Sequence, residues 1–448
     1  MKQARLSPVA RRQRGAATLV VVMVLFLVMA LLAAYANRSL MFEQRIAGSY
    51  YRASMSQEMA EAGVEWTVAM LNGTGIDATC TPVATGGTRF VDLYLNVSAD
   101  DRATTPKVTG TIAGGSRANL AADCASNGTS LVCRCPQPNT RTAQPATVLS
   151  GALIPSLGAA VGTDSVLHYG SFLVDGYGCT DSSIDNCATA DSETRSLNTT
   201  ATTLQKTSVA FIGAVPSSPA APLIVKGSLT TSGAGGLGLH NTDPRSAGLL
   251  VVSGGNPPVL NDDRMDSVPG TPPDQARIFG DSKLLEWQGQ DADGNIRFFR
   301  NFMGMAPSSY PKHPAARLVT CGSAADCGTD LVNAFNAGKR LLTIDTAMGI
   351  SGNVTIGTVA APVLIVVNGN VNIDGPMQLN GMLVVLGKLT WTNNTPTASQ
   401  ITGMVLVQGD MDANGRMDIV YQQSIANELR NRLGSYVRVP GGWIDGAY

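Results

Sequence analysis

The sequence contains few of the residues on which enzymes and nucleic-acid-binding proteins rely. Only 3 of its 448 residues are histidine, and charged residues make up 15%. The histidines His168, His240 and His313 lie far apart in sequence, which disfavours a histidine-based catalyst. The net charge of -1 gives no indication of nucleic-acid binding, and a hydrophobic content of 44% excludes a disordered chain.

Motifs of common enzyme classes are also absent. The sequence has neither a phosphate-binding loop of the lysine type nor a nucleophile-elbow serine. The run GAGGLG at 233–238 has the spacing of a dinucleotide-binding loop, but no helical periodicity follows it, so we interpret it as a turn. Asp262, Asp263 and Asp266 are clustered as in a polysaccharide-cleaving site, but a solvated acidic turn explains them better.

Charge is absent from one long segment near the amino terminus. Five basic and no acidic residues precede Gly15, and no charged residue lies between Gly15 and Asn37. This segment is long enough to cross a bilayer as one helix, with its basic side in the cytoplasm and the rest of the chain outside. A secretory signal cleaved near Ala34-Tyr35-Ala36 is the alternative, although its apolar region usually spans only about 7 to 15 residues.

Proline is missing from Ala16 to Leu71, which predicts that the helix continues beyond the membrane. Its apolar side chains recur every three to five residues and form one stripe. The stripe after Asn37 comprises Met41, Phe42, Ile46, Tyr50, Met55, Met59, Ala62, Trp66 and Met70. We expect the distal half of the stripe to pack on the protein's own globular domain, whereas the proximal half has nothing of its own to pack on.

Three motifs stand within the first 70 residues or so: the opening RQRGAA, EQRIAGSYYR at 43–52 and AEAG at 60–63. With them, this part of the chain resembles the amino-terminal domain of PilX-type minor pilins of type IV pili. The resemblance implies cleavage by prepilin peptidase after Gly15, amino-methylation of Ala16, and packing of the retained helix against other minor pilins and the major pilin. It also implies a single-pass protein of the inner membrane, with a periplasmic head, that later joins a pilus at the cell surface.

The fifth position counted from Ala16 is Val20, where major pilins carry a glutamate. In the family, that glutamate pairs with the terminal amine of the subunit ahead, because an unpaired charge in an apolar bundle is costly. A subunit with nothing ahead of it needs no such partner. Val20 therefore indicates a place at or near the filament tip, a feature shared with the tip pseudopilin of type II secretion.

Eight cysteines all lie after the apolar segment, in the part expected to be exported. An even number in an oxidising compartment predicts disulfides rather than a metal site. Short loops favour the pairs Cys179–Cys187 and Cys321–Cys327. The pairing of Cys80, Cys124, Cys133 and Cys135 stays open.

Five apolar runs that each end in glycine recur in the second half of the chain. Their glycines include Gly227, Gly254, Gly369, Gly387 and Gly409. The last three are 18 and 22 residues apart, about one coil of a parallel β-solenoid in which glycine turns a corner without a Cβ clash. Ordinary sandwich strands are the alternative.

These observations predict an α+β protein with a long amino-terminal helix, a β-rich head and a carboxy-terminal solenoid-like domain. The expected segments are a leader at 1–15, the helix at 16–72, the head at 73–215, the solenoid at 216–255 and 340–421, an exposed insertion at 256–339, and a capping helix and tail at 422–448. The capping helix, starting at Ser424, is expected to cover the open end of the solenoid.

The segment DMDANGRMD at 410–418 has the spacing of a calcium loop. Asp410, Asp412, Asn414 and Asp418 occupy loop positions 1, 3, 5 and 9, with glycine at position 6. Tyr421 replaces the glutamate that an EF-hand has at position 12. Apart from this calcium hypothesis, no cofactor is expected.

The expected function is that of a non-enzymatic minor pilin that helps initiate pilus assembly and sits at or near the tip. Its expected partners are other pilins, prepilin peptidase, the inner membrane and a tip adhesin, with a role in adhesion or motility. A tip pseudopilin of type II secretion and an exported solenoid enzyme acting on carbohydrate are the alternatives.

Overall fold

The computed structural model describes residues 15–83, 86–102, 104–106, 121–126, 131–135, 148–155, 172–180, 201–288 and 291–446. The helices are α1 (Gly15–Leu71), α2 (Phe90–Tyr94), α3 (Ser282–Gln288), α4 (Asp291–Met303), α5 (Gly328–Asn336) and α6 (Gln423–Asn431). The strands that flank the solenoid in sequence are β1 (Gly75–Ile76), β2 (Thr88–Arg89), β3 (Leu95–Val97), β4 (Thr104–Pro106), β5 (Ala121–Ser126), β6 (Leu131–Arg134), β7 (Val148–Pro155), β8 (Phe172–Cys179), β9 (Thr202–Gly213) and β27 (Gly434–Gly446). A long helix followed by a β-rich region confirms the predicted α+β class.

The head is an antiparallel sheet packed on the distal part of α1. Its six strands lie in the order β27-β9-β8-β7-β5-β6, and α1 contacts β7, β8 and β9. The buried face of α1 includes the small side chains of Ser56, Ala60 and Thr67 as well as Val64 and Met70, and Met70 belongs to the predicted stripe. Small side chains let the helix lie close to the sheet.

Two glycines in β8 complete this close approach. A Cβ atom at Gly176 would lie 2.2 Å from the carbonyl oxygen of Ala60, and one at Gly178 would lie 1.7 Å from that of Ser56. Both distances are far below van der Waals contact, so only glycine permits this helix–sheet spacing. The hydroxyls of Ser56 and Thr203, 2.6 Å apart, add a hydrogen bond from the helix to β9.

The solenoid is inserted between the last two strands of the head. Strand β9 ends at Gly213, and the chain returns at Gly434 to start β27, which pairs antiparallel with β9 from Gly434↔Gly213 onwards. The amide of Ala214 donates to the carbonyl of Leu433 at 2.8 Å, so the entry and exit of the solenoid lie side by side. The predicted carboxy-terminal tail is therefore largely an edge strand of the head sheet.

The solenoid strands pair in parallel throughout and form three sides of a coil. The strands are β10 (Leu223–Val225), β11 (Leu229–Ser232), β12 (Leu237–His240), β13 (Val251–Ser253), β14 (Met265–Asp266), β15 (Arg277–Ile278), β16 (Ala316–Leu318), β17 (Leu341–Ile344), β18 (Met348–Ser351), β19 (Val354–Ile356), β20 (Val363–Val367), β21 (Val371–Asp374), β22 (Met377–Val385), β23 (Leu389–Asn393), β24 (Gln400–Val407), β25 (Met411–Gly415) and β26 (Met417–Val420). One side is the five-stranded sheet β11-β25-β23-β21-β18, and a 12-stranded sheet supplies the other two. This larger sheet turns within β22 and β24 at Gly381 and Gly403, whose φ values are +150° and +140°.

A ladder of stacked glycines marks one corner of the coil. The amides of Gly387, Gly409 and Gly227 donate to the carbonyls of Gly369, Gly387 and Gly409 at 3.0 to 3.1 Å. Gly255 in turn donates to Gly227, so Gly255 rather than Gly254 occupies this corner. A Cβ at Gly409 would lie 2.6 Å from the carbonyl of Gly387, which explains why this corner requires glycine.

The coils of the solenoid do not follow one another in space in the order in which they follow along the chain. Residues 222–278 form two coils and part of a third, and the chain then crosses to the opposite end at β16 and returns coil by coil through β26. Strand β10 accordingly stacks on β24, with Leu223 opposite Val405, although 182 residues separate them in sequence. Strands β14, β15 and β16 lie inside the predicted insertion. The sequence did not predict them, because they are only two or three residues long and form no apolar run.

The side of the coil that contains β20 is covered by helices. Its strands are buried on both faces, as the unbroken apolar run of β20 requires. Ile425, Ala426 and Leu429 of α6 pack on its outer face together with Phe298 and Phe299 of α4. Helix α6 therefore covers a side of the solenoid and not its end, and Ser424 lies within its first turn rather than at the cap.

Helix α5 covers the end of the solenoid instead. Leu331 and Ala334 belong to the interior core of the coil, and α5 contacts β18 and β19. The disulfide Cys321–Cys327 lies just before this helix, and Cys327 is fully buried. Helix α5, within the predicted insertion, is therefore the end cap of the core, whereas residues 322–326 of the loop closed by the disulfide are exposed, as predicted.

We predict that Gly178→Ala destabilises the head, because its Cβ would collide with the backbone of α1. The expected loss is about 2 to 3 kcal/mol of unfolding free energy, measured by urea denaturation in detergent. Gly322→Ala is the control, since its Cβ would lie 3.7 Å from the nearest atom and should change stability by about 0.5 kcal/mol or less. Wild-type stability of Gly178→Ala would contradict the helix–sheet packing described.

Candidate functional site

The most distinctive surface of the protein is the proximal half of α1. The side chains from Thr18 to Tyr51 are exposed apart from a partly buried Gly48. Phe26 is 75% exposed and Leu31 is 63% exposed, and contact of such apolar surface with water is unfavourable. An exposed apolar surface of this extent indicates a site of contact with lipid or protein.

Within the described part of the chain, one helix is long and apolar enough to cross a membrane. Its residues Thr18–Leu71 begin with an apolar window that the rest of the protein does not bury. Val20 lies in this window with 58% of its surface exposed. Gly15 and Ala16, the predicted processing residues, lie in the first turn of α1.

The structure joins two cysteine pairs among the described residues. Cys321 is bonded to Cys327, as the short loop predicts, and Cys80 is bonded to Cys135, a pairing that the sequence left open. Cys133 is also disulfide-bonded. The predicted pair Cys179–Cys187 cannot be compared, because Cys187 lies outside the described residues.

We predict that the pair Cys80–Cys135 contributes more to stability than Cys321–Cys327. The two bonds close loops with sequence separations of 55 and 6 residues. Loop-closure entropy gives about 4 kcal/mol for the longer loop and about 2 kcal/mol for the shorter one. Urea denaturation of the two double serine variants measures the difference, and an equal or reversed ranking would contradict this account.

The four residues of the calcium hypothesis lie along one coil rather than around a common centre. Asp410 accepts from the amide of Ser228 at 2.8 Å, and Asp412 contacts Thr230 and Lys388. Asn414 ends the outward-facing series in β25, and Asp418 lies on the next strand, β26. Among the described residues, no group of three or more histidine, cysteine or acidic side chains is arranged to hold a metal ion.

Asp418 belongs to a different cluster, which links three coils. His240 lies between two carboxylates, with Nδ1 2.7 Å from Asp266 and Nε2 3.2 Å from Asp418. Arg264 pairs with Asp418 from the other side. The cluster lies where residues 222–278 meet the last coil of the chain, so it fastens the seam between the two parts of the solenoid.

The acidic cluster predicted at 262–266 is divided between separate partners. Asp262 pairs with Arg277 at 2.9 Å, whereas Asp266 faces His240. The structure therefore does not bring Asp262 and Asp266 together as a pair of carboxylates. Sequence inspection missed His240 because its partners come from strands 26 and 178 residues away.

We predict that the contribution of His240 to stability depends on pH. Hydrogen bonding to Asp418 raises the pKa of His240 more than burial lowers it, and Asp266 raises it further. Folding therefore favours the protonated form of His240. The stability that this form adds is fully present below the unfolded pKa of about 6.5 and is lost as the pH rises through the higher folded pKa. His240→Gln should cost about 1 kcal/mol more at pH 5.5 than at pH 8.5, measured by urea denaturation at the two pH values. An equal cost at both values would contradict the ion-paired arrangement.

Comparison with known families identifies the amino-terminal segment. Residues 14–65 match the family model described as PilX N-terminal, which confirms the resemblance found in the sequence. This segment supports a type IV pilus-related pilin with a PilX-type amino-terminal domain, a structural rather than enzymatic family. No curated protein and no solved structure matches the chain.

The matched residues coincide with the exposed half of α1 and its first contacts with the head. The apolar helix and the matched segment are together typical of a membrane-anchored, pilus-related pilin.

Proposed function

We propose that the protein is a minor pilin that helps initiate type IV pilus assembly in the inner membrane and sits at or near the pilus tip. The observation that carries the proposal is the exposed, uncharged half of α1 within the segment matched to PilX. This surface needs apolar surroundings at every stage, first lipid and then the helices of neighbouring pilins. Assembly is then an exchange of one apolar environment for another, and no enzymatic step by this chain is involved.

Val20 supports the tip position within this proposal. At 58% exposure it presents an apolar side chain to whatever surrounds α1, and no carboxylate is available there to pair with the amine of a subunit ahead. A terminal subunit has no subunit ahead, so valine in place of glutamate costs it no charge pair. Subunits inside the shaft would lack one charge pair at each such position.

The architecture of the head supports the same position. The solenoid is inserted between β9 and β27, so its bulk stays attached to the sheet that packs on α1. A head of this size suits a site that is occupied once at the end of a filament better than one repeated along a shaft. Other minor pilins or a tip adhesin are the partners that such an exposed position offers.

Mass spectrometry of the mature amino terminus tests the pilin assignment. We predict that the mature chain begins at Ala16 with a methylated amine, because prepilin peptidase cleaves after Gly15 in this proposal. Gly15→Leu should retain the leader and block the processing, whereas Gly48→Leu is a matched control within the same helix. A mature start near Asn37 would identify a secretory signal and contradict the proposal.

Immunogold labelling of sheared pili tests the tip position. The proposal predicts label at one end of each filament and few or no pili after deletion of the gene. Label along the whole shaft would contradict it. Normal pili combined with loss of protein secretion would favour the tip pseudopilin of type II secretion instead, and glycan hydrolysis that is abolished at Asp262 or Asp263 would favour the enzyme.

A further inference from the structure

The junction between the head and the solenoid contains a buried histidine. His313 follows a single 3₁₀ turn, Tyr310–Lys312, and leads into β16 at the edge of the 12-stranded sheet. The residue is only 5% exposed. Its Nδ1 atom lies 3.1 Å from the hydroxyl of Ser435 in β27, and Ser435 pairs with Ile212 of β9. His313 therefore joins the solenoid to the last two strands of the head sheet.

The hydrogen bonds of the ring suit a neutral histidine. The backbone amide of Ala315 donates to Nδ1 at 3.2 Å and to the hydroxyl oxygen of Ser435 at 2.9 Å. That hydroxyl accepts from the amide, which leaves its own hydrogen to be donated to Nδ1. Nδ1 thus faces two donors and serves as an acceptor. The hydrogen-bond network therefore places the proton of the neutral ring on Nε2.

No negative charge compensates a second proton on this ring. Burial lowers the pKa of His313, and the nearby carbonyl of Ile212 opposes this effect only in part. The titratable side chains on the described elements that contact the ring are Tyr310 and Lys312 of the preceding turn, Arg317 of β16, and Tyr436 and Arg438 of β27, with none between Thr207 and Gly213 of β9. None of them is a carboxylate. Glu65 of α1, which lies beyond β27, is itself paired with Arg438 at 2.9 Å.

We propose that His313 is a pH-sensitive switch at the junction between the head and the solenoid. Protonation converts Nδ1 from an acceptor into a donor and leaves a charge in a buried place without a negative partner. The charged ring is more stable in water, which it reaches only when the junction opens. Because the open form binds the proton more tightly, a fall in pH favours opening. The stability that the neutral ring adds is fully present above the unfolded pKa of about 6.5 and is lost as the pH falls below it.

The other contacts at the junction do not respond to pH in this range. The phenol of Tyr310 donates to the carbonyl of Ala214 at 2.7 Å, and Nη2 of Arg317 donates to the carbonyl of Asn72 at 3.0 Å. Neither group titrates between pH 5 and pH 8. The chain still crosses from head to solenoid beside Ala214 and returns beside Leu433. Opening at His313 therefore loosens the orientation of the solenoid against the head without detaching it.

Histidine titration of the full chain in detergent tests the protonation directly. NMR of protein labelled with 13C-histidine gives three sets of signals, and His168→Gln and His240→Gln assign that of His313 by elimination. The expected midpoint for His313 lies below the ordinary value of about 6.5. Ser435→Ala should raise this midpoint, since it removes a donor to the neutral Nδ1. A wild-type midpoint at or above 6.5 would overturn the proposal, and this measurement decides the case if the variants fail to fold.

Hydrogen exchange tests the opening. Between pH 7.5 and pH 5, after correction for the intrinsic effect of pH, amide exchange at 310–316 and 434–437 should become at least about threefold faster, with no change at 363–385. His313→Gln offers an acceptor that does not titrate and should abolish this difference.

His240→Gln is the matched control and should keep the difference, because His240 is stabilised in its protonated form at another seam. No difference in the wild type, or the same difference in His313→Gln, would overturn the proposal. These results are independent of the pilin role, which the labelling of filaments tests separately.

Discussion

The close packing of α1 on β8 is the contact on which the rest of the structure depends. Gly176 and Gly178 bring the strand against the backbone of the helix at Ala60 and Ser56, a distance that no side chain on the strand permits. This contact fixes the head sheet, and the last two strands of that sheet hold both ends of the solenoid. It also divides α1 into a distal half that the head buries and a proximal half that nothing in the described chain covers.

The solenoid shows how a large domain is added without disturbing this arrangement. Its entry and exit lie side by side at Ala214 and Leu433. The insertion therefore leaves the pairing of the two neighbouring head strands intact. Within the solenoid, one side is apolar on both faces and is covered by α4 and α6, while α5 covers one end. The His240 cluster fastens the seam where the first coils meet the last one.

Much of the fold follows from local patterns in the sequence. The uninterrupted helix and the apolar runs that end in glycine depend on neighbouring residues, and both were predictable. The ladder through Gly369, Gly387, Gly409 and Gly227 confirms that glycines at this spacing stack in parallel coils. Local composition is misleading at 89–97, where apolar and aromatic residues are typical of a strand, because residues 90–94 form a short helix that buries Phe90 and Val91.

The remaining features depend on contacts that leave no local signal. The stacking of β10 on β24 joins residues far apart, and the repeat itself does not reveal which coil follows which in space. The same holds for the pair Cys80–Cys135 and for His240, whose carboxylates lie on neighbouring coils. Arg89, Arg340 and Arg432 line one cleft although they lie far apart in sequence, so their meeting emerges only in the folded chain.

The central claim is that the proximal half of α1 exchanges lipid for the helices of other pilins. A photo-cross-linking side chain at position 31 tests it most directly, since Leu31 is exposed in the middle of the apolar segment. In intact cells, and in pili sheared from them, the claim predicts cross-links to the amino-terminal helix of another pilin. A protein that reaches the surface but cross-links only to lipid, or to no pilin at all, would contradict it.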